Sequence, residues 1–155
     1  MTPLALFRLR LRPARPGDAP ACAAILRHWV DETPWYATSH PPQADTPFVA
    51  RKIDAGAVTV AERRGQVAGF LALEGDYVAC LYIDGAHRRR GLGHRLLKRA
   101  KRQRDRLSLW TFQANAAARR FYEREGFVEH QRTDGHDNDE GLPDVEYVWQ
   151  GKEAR

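Results

Sequence analysis

Leu81-Tyr82-Ile83-Asp84-Gly85-Ala86-His87-Arg88-Arg89-Arg90-Gly91-Leu92-Gly93-His94 joins an apolar run to a cationic turn that contains glycine. The run leading into it, Tyr77 to Ile83, is continuously apolar and predicts a strand buried on both faces. Beyond the turn, Leu92, Leu96, Leu97 and Ala100 share one helical stripe, while His94, Arg95, Lys98, Arg99, Lys101 and Arg102 lie elsewhere on the helix. The first-turn amides of such a helix lack internal partners and sit at the positive end of its dipole. Glycines at 91 and 93 would let a diphosphate approach those amides, and Arg88, Arg89 and Arg90 would add charge-assisted contacts. Arg88 through His94, Leu92 included, are therefore the candidate phosphate-binding residues. The turn is not a Walker A loop, which ends in Gly-Lys-Ser/Thr. It is not a dinucleotide fingerprint either, because Leu96 stands where that motif needs a third small residue.

Working outward from the turn, the chain punctuates cleanly. An alternating strand is expected from Phe7 to Pro13, ending at Arg15-Pro16-Gly17-Asp18, with Asp18 as N-cap of the next helix. Cys22, Ile25, Leu26, Trp29 and Val30 recur at helical spacing. Thr33-Pro34-Trp35-Tyr36 and His40-Pro41-Pro42 then form an aromatic loop, and a short helix covers Pro47 to Asp54. Strands over Ala57–Glu62 and Val67–Glu74 precede the Tyr77–Ile83 run, joined by glycine-containing turns of hairpin length. Leu107–Phe112 reads as a strand, Asn115 as the cap of a helix stopped at Gly126, and Phe127–His130 and Val145–Trp149 as two closing strands. The order β-α-α-β-β-β-α-β-α-β-β predicts an α/β (α+β) fold: one mixed, mostly antiparallel sheet of six to seven strands flanked by about four helices.

Composition sets the outer bounds. At 155 residues, 43% hydrophobic and 29% charged, the chain is expected to form one soluble domain over residues 1–155. No apolar run approaches the ~20 residues of a membrane span, and Arg8, Arg10 and Arg12 interrupt the apolar opening. A cytoplasmic location without membrane attachment is the expectation. Cys22 and Cys80 both stand in apolar stretches and are expected to be core thiols rather than a disulfide. No clustered Cys or His spacing suggests a metal. The net charge of +5 is polarised, with ten basic residues and one acid between Arg88 and Arg106 and six acids without a Lys or Arg between Asp134 and Glu146.

The turn Arg88-Arg89-Arg90-Gly91-Leu92-Gly93 resembles the coenzyme A loop of the GNAT superfamily, Gln/Arg-x-x-Gly-x-Gly/Ala, at every fixed position. The run Leu109 to Phe127 is similar to the strand and helix that follow in that family, with Asn115 and Tyr122 seven apart and Gly126-Phe127 after them. Close resemblance spans about Tyr77 to Val128, and outside it only the order of elements agrees. The resemblance implies an acetyl-CoA-dependent N-acetyltransferase acting by direct attack of a primary amine on the thioester. It implies that Asn115 touches the coenzyme arm and that Tyr122 lies near the sulfur and protonates the departing thiolate. It also implies that a backbone amide of the strand containing Leu81, Tyr82 and Ile83 steadies the oxyanion, where a splayed neighbour leaves amides unpaired. The acceptor it implies is a small-molecule or peptide amine, with acetyl-CoA as the expected cosubstrate; no metal and no nucleic acid are expected, and a homodimer is left open.

An ammonium of pKa ~10.4 costs about 4–5 kcal/mol to deprotonate near pH 7, so a proton acceptor is needed. Glu74 is the first choice, because strand-borne carboxylates near the sheet's split serve this role in some GNAT enzymes. Asp76 and His40 are the alternatives. Trp29, Trp35 and Tyr36 are expected to wall the acceptor pocket, attracting a cation through their ring faces. Two other functions compete. A nucleic-acid-binding module would use the basic helix for phosphates and Trp110 and Phe112 for stacking. An acyl-CoA sensor would keep the turn and lack turnover.

Overall fold

The computed structural model describes residues 8–38 and 40–151. Seven strands, β1 (Leu9–Pro13), β2 (Val58–Arg63), β3 (Gln66–Glu74), β4 (Tyr77–Ile83), β5 (Arg106–Phe112), β6 (Val128–Thr133) and β7 (Asp144–Gln150), form one sheet in the order β1-β2-β3-β4-β5-β7-β6. Four helices, α1 (Ala19–Asp31), α2 (Asp45–Asp54), α3 (Leu92–Gln103) and α4 (Ala116–Arg124), complete the expected order. Every strand pair is antiparallel except β4 with β5. Phe7 lies outside the described residues, so β1 is seen from Leu9.

The sheet carries a separate core on each face. On one, Cys22 and Ile25 of α1 and Val49 and Ile53 of α2 cover Val60, Phe70, Ala72 and Cys80. On the other, Leu92, Leu96, Leu97 and Ala100 of α3 cover Ala61, Leu71, Val78, Leu107 and Leu109, joined by Val145, Tyr147 and Phe127. The stripe read on α3 is thus its buried side. Cys22 and Cys80 are free thiols in the first core, and burial pushes them up to about 12 and about 11. Among the described residues no helix is long and apolar enough to cross a membrane.

Two local expectations change. Asp18 stands at the N-cap position of α1, as expected, but its side chain makes no capping hydrogen bond. Its carboxylate accepts from both Nη atoms of Arg12, at 2.8 and 3.0 Å, and from the Arg15 amide at 2.7 Å. An arginine fork out-competes helix amides for an acid that stands beside it. Nor is β4 buried on both faces: Val78 and Cys80 are buried, but Tyr77 is 37% exposed and Leu81, Tyr82 and Ile83 are half-buried. The cause is the sheet itself, because β4 loses its neighbour on one side almost at once.

Candidate active site

Strands β4 and β5 share a single parallel bridge, Tyr77 with Ser108, where the Ser108 amide also donates to the Asp76 carbonyl at 2.9 Å. Beyond it β5 follows β7 along its whole length, and β4 follows β3. The register of β3 against β4 steps between Ala72 and Leu73, leaving Ala79 as an extra residue in β4. Such a bulge bends its strand and sharpens the twist, so β4 turns away from β5 and a slot opens through the sheet. The Asp84 amide donates back to Ala68 at 2.8 Å. By antiparallel alternation the amides of Ile83 and Leu81 then face the slot. The Ile83 carbonyl confirms the direction, since it accepts from Arg88 Nε at 3.3 Å on that side.

At the open end of the slot the chain enters the cationic turn. Gly85–His87 form one 3-10 turn, then Arg89 (φ 63°) and Gly91 (φ 78°) take left-handed conformations that aim the chain into α3. Gly91 is there for its backbone: the space a Cβ would fill is open, with no atom within 4 Å. Gly93 has a packing reason as well, because a Cβ there would stand 3.0 Å from Phe121 Cζ. Within α3 the Arg95 amide is bonded to the Gly91 carbonyl at 3.0 Å, so the first-turn amides of Leu92, Gly93 and His94 precede the helical ladder. Arg88 is drawn aside to Glu32 at 3.2 Å, and His94 Nδ1 sits 2.7 Å from Glu125. Arg89 and Arg90 are exposed.

On the other lip, Asn115 Oδ1 accepts the Ala118 amide at 3.1 Å and starts α4. About two turns further, at ~3.6 residues per turn, Tyr122 packs edge-on to Phe121 and Phe127, with ring centroids 5.2 and 5.6 Å away. Burial pushes its phenol above the ordinary tyrosine range.

The opposite face of the slot is roofed by aromatic rings. Trp29 at the end of α1 lies 5.7 Å from Tyr82 of β4 and 5.0 Å from Tyr36. Tyr36 and Trp35 reach Phe112 at the end of β5, at 5.5 and 5.8 Å. The cluster therefore bridges the two strands that separate below it. The Tyr36 hydroxyl donates to Glu140 at 3.3 Å, and burial, then the Glu140 charge, raises its pKa. Trp29, Trp35 and Tyr36 come together as expected. Phe112 and Glu140 join them: the sequence offers Phe112 only as a strand aromatic or a base-stacking residue, and Glu140 only as one of the acids in the 134–146 run, with nothing to single it out.

The three candidates for the base fare differently. Glu74 pairs in register with Tyr77 at the joined end of β4, and its carboxylate takes the Lys52 ammonium at 3.0 Å. Leu81 is four residues further along, about 13 Å at ~3.3 Å per residue. Asp76 is at the same joined end, 3.3 Å from Arg106. His40 is exposed; its amide donates to the Thr38 hydroxyl at 3.1 Å and its carbonyl accepts from Arg27 at 3.4 Å. The structure does not gather these three at the slot's open end.

Residues 54–129 match the family model described as an acetyltransferase (GNAT) domain. The chain belongs to the GNAT acetyltransferases. Similar proteins include the peptidyl-lysine N-acetyltransferase YiaC of Escherichia coli (strain K12), 29% identical over 122 residues, which cover 76% of this chain and 82% of that one. The solution structure of apo YjaB from Escherichia coli superposes with a TM-score of 0.77 at 24% identity, covering 94% of this chain and 99% of that chain. The structure of YncA from Salmonella typhimurium with its cofactor acetyl-CoA gives a TM-score of 0.72 at 22% identity, over 92% and 94% of the two chains. These two likenesses establish the fold of this GNAT protein, an α/β sheet with four helices.

Proposed function

We propose that the protein acts as one domain that transfers an acetyl group from acetyl-CoA to a primary amine, the two substrates meeting in the slot from opposite faces of the sheet. The observation that carries the reading is the slot's connectivity. The phosphate turn and Tyr122 stand with the α3–α4 core on one face, and the Trp29–Tyr36–Phe112 cluster stands with the α1 side on the other. Acetyl-CoA supplies a thioester already activated for acyl transfer. The first-turn amides of α3, with Arg89 and Arg90, grip its diphosphate, and Gly91 leaves the space clear. Asn115 keeps its side-chain amide as a donor to the coenzyme arm while its oxygen caps α4.

The amides of Leu81 and Ile83 face the slot, so one of them donates to the carbonyl oxygen as charge develops there. The amine nitrogen forms its bond to the carbonyl carbon, the carbon–sulfur bond breaks, and the Tyr122 phenol gives the sulfur its proton. A phenol whose burial disfavours the anion remains protonated at working pH. After giving its proton to sulfur it regains one from the second proton that the nitrogen loses once the new bond has formed. The acceptor's proton leaves through water to Glu140, the carboxylate beside the rings. Glu74 retains the role only for an acceptor that enters at the joined end. The rings favour an amine that arrives as a cation on an apolar stem, such as a lysine side chain in a peptide; YiaC's description as a peptidyl-lysine enzyme points to the same class.

Thiol release from acetyl-CoA against a panel of lysine peptides, N-terminal peptides, polyamines and amino acids tests the reading. Saturable turnover with a lysine-type acceptor is expected. Coenzyme binding without turnover on any amine would favour the sensor, and absence of coenzyme binding would remove the enzyme assignment.

A further inference from the structure

Helix α3 carries more positive charge than the phosphate turn uses. On its side toward the edge strand, Leu11, His94, Arg95, Lys98, Arg99 and Arg102 line a groove of about 330 Å³. Positions 95, 98, 99 and 102 fall at i, i+3, i+4 and i+7, so four cations form one stripe about 10 Å long at ~1.5 Å per residue. Several cations elsewhere are paired with acids: Arg12 with Asp18 and Glu62, Arg27 with Asp45, Lys52 with Glu74, Arg106 with Asp76. Among the described residues, none of the four groove cations has a carboxylate partner, and no acid lines the groove. Arg99 adds an independent sign, since its Nε is buried without any hydrogen-bond partner. A second hollow, of about 240 Å³, shares Arg99. Buried donors are nearly always satisfied, and one left open beside a cationic groove asks for an acceptor.

We propose that this groove is a second anion site, taking a small molecule with two or more linked phosphoryl groups, separate from the diphosphate grip of the turn. Arginine forks suit phosphoryl oxygens, and the volume lies at the small end of ligand pockets. A nucleic-acid strand fits less well, because such sites add aromatic platforms for the bases and Leu11 is the sole apolar residue here. The turn's grip lies on the other side of α3, where Gly93 meets Phe121 of α4.

Calorimetry with inorganic tripolyphosphate at ~0.15 M salt tests the assignment on wild type, on Arg95→Gln with Arg102→Gln, and on Arg89→Gln with Arg90→Gln. Arg95 and Arg102 are exposed, and glutamine keeps helix propensity, so thermal melts should show both double variants folded. Two equivalents are expected to bind wild type, one at the turn and one in the groove. The turn variant keeps the groove equivalent unchanged. The groove variant keeps the turn equivalent while the other binds at least about tenfold more weakly, the loss of two charged hydrogen bonds. ATP in the same titration identifies the source: tighter binding than tripolyphosphate assigns a nucleotide, equal binding assigns the phosphoryl chain alone, and either supports the groove. Loss of binding in the turn variant with none in the groove variant overturns the proposal. So does absence of binding up to millimolar ligand, or a groove-dependent preference for oligouridylate over both phosphates.

Discussion

Arg88 and Glu32 form an ion pair of 3.2 Å that ties the phosphate turn to the end of α1, while His28 holds the other Glu32 oxygen at 2.8 Å. The same guanidinium donates to the Ile83 carbonyl, a slot-facing group of β4. A diphosphate in the turn would compete for this arginine. Both partners are more than 40% exposed, so the pair is worth under about 1 kcal/mol and is weakened by salt. Glu32→Gln is therefore expected to tighten coenzyme A binding about two- to fivefold at low ionic strength, with the gain fading toward ~0.3 M salt. Calorimetry at two salt concentrations checks this. Weaker binding in the variant would instead make Glu32 a group that positions Arg88 for the ligand.

Tyr122 is the next test. Its phenol is buried among Phe121, Phe127 and Tyr147 and pushed above the ordinary tyrosine value. It therefore stays protonated across the working range, and the alkaline limb of the rate profile should not report it. Tyr122→Phe is expected to lower kcat about a hundredfold, within the usual range for a general acid, while the dissociation constant of coenzyme A changes less than about twofold. Equal kcat values for variant and wild type would take Tyr122 out of proton transfer.

The parts of the fold set by local periodicity could be read from the chain alone. The α3 stripe Leu92, Leu96, Leu97, Ala100 is the buried face, and Tyr77–Ile83 is a strand, though not one buried on both faces. Asn115 and Gly126 sit at the two ends of α4, Gly126 at φ 89°. What could not be read depends on pairing between distant segments. The residues of Tyr77–Ile83 do not themselves say that β5 leaves after one bridge, because the bulge at Ala79 is a matter of register against β3; only the family resemblance implied a splayed neighbour. Asp18 was taken by Arg12 because β1 and β2 bring Glu62 to the same guanidinium. Glu140 reaches Tyr36 across 104 positions, a distance over which no local pattern carries information.

The competing carboxylates can be separated. Glu140→Gln should raise KM for a cationic acceptor and lower kcat at least about tenfold, because it removes both the charge beside Tyr36 and the proposed proton acceptor. Glu74→Gln breaks an exposed pair with Lys52 and should change stability by no more than about 0.5 kcal/mol, leaving kcat intact. The opposite pattern would return the base to Glu74 and place the acceptor at the joined end of the sheet.

The two glycines of the turn should fail in different ways. Gly91→Ala meets no neighbour but must hold φ near 78°, which costs an alanine about 1–2 kcal/mol. Gly93→Ala has no such φ, but its methyl meets Phe121 at 3.0 Å. Phe121→Leu should then recover most of the melting temperature lost in Gly93→Ala and none of that lost in Gly91→Ala. Thermal melts of the four single and double variants decide the matter.

Arg12 is 9% exposed and binds two acids at once, Asp18 at 2.8 Å and Glu62 at 2.6 Å. Its hydrogen bonds hold the Asp18 carboxyl below the usual aspartate value, against an opposing push from burial. The same acids raise the guanidinium further, so Arg12 itself never titrates. A carboxyl with a depressed folded pKa binds fewer protons when folded than when unfolded at pH near its unfolded value of ~3.9. Its contribution is therefore present in full above that pH and disappears as pH falls through the folded value. Urea midpoints should be flat from about pH 7 to pH 5 and drop below about pH 4, and Asp18→Asn should be less stable at pH 7 with a shallower acid drop. Arg12→Ala, which strands two half-buried carboxylates, should cost about 3–5 kcal/mol at pH 7, and less at pH 3, where Asp18 without its arginine takes a proton. If the acid drop is as steep in Asp18→Asn as in wild type, the pH dependence belongs to other groups and this network is only a packing feature.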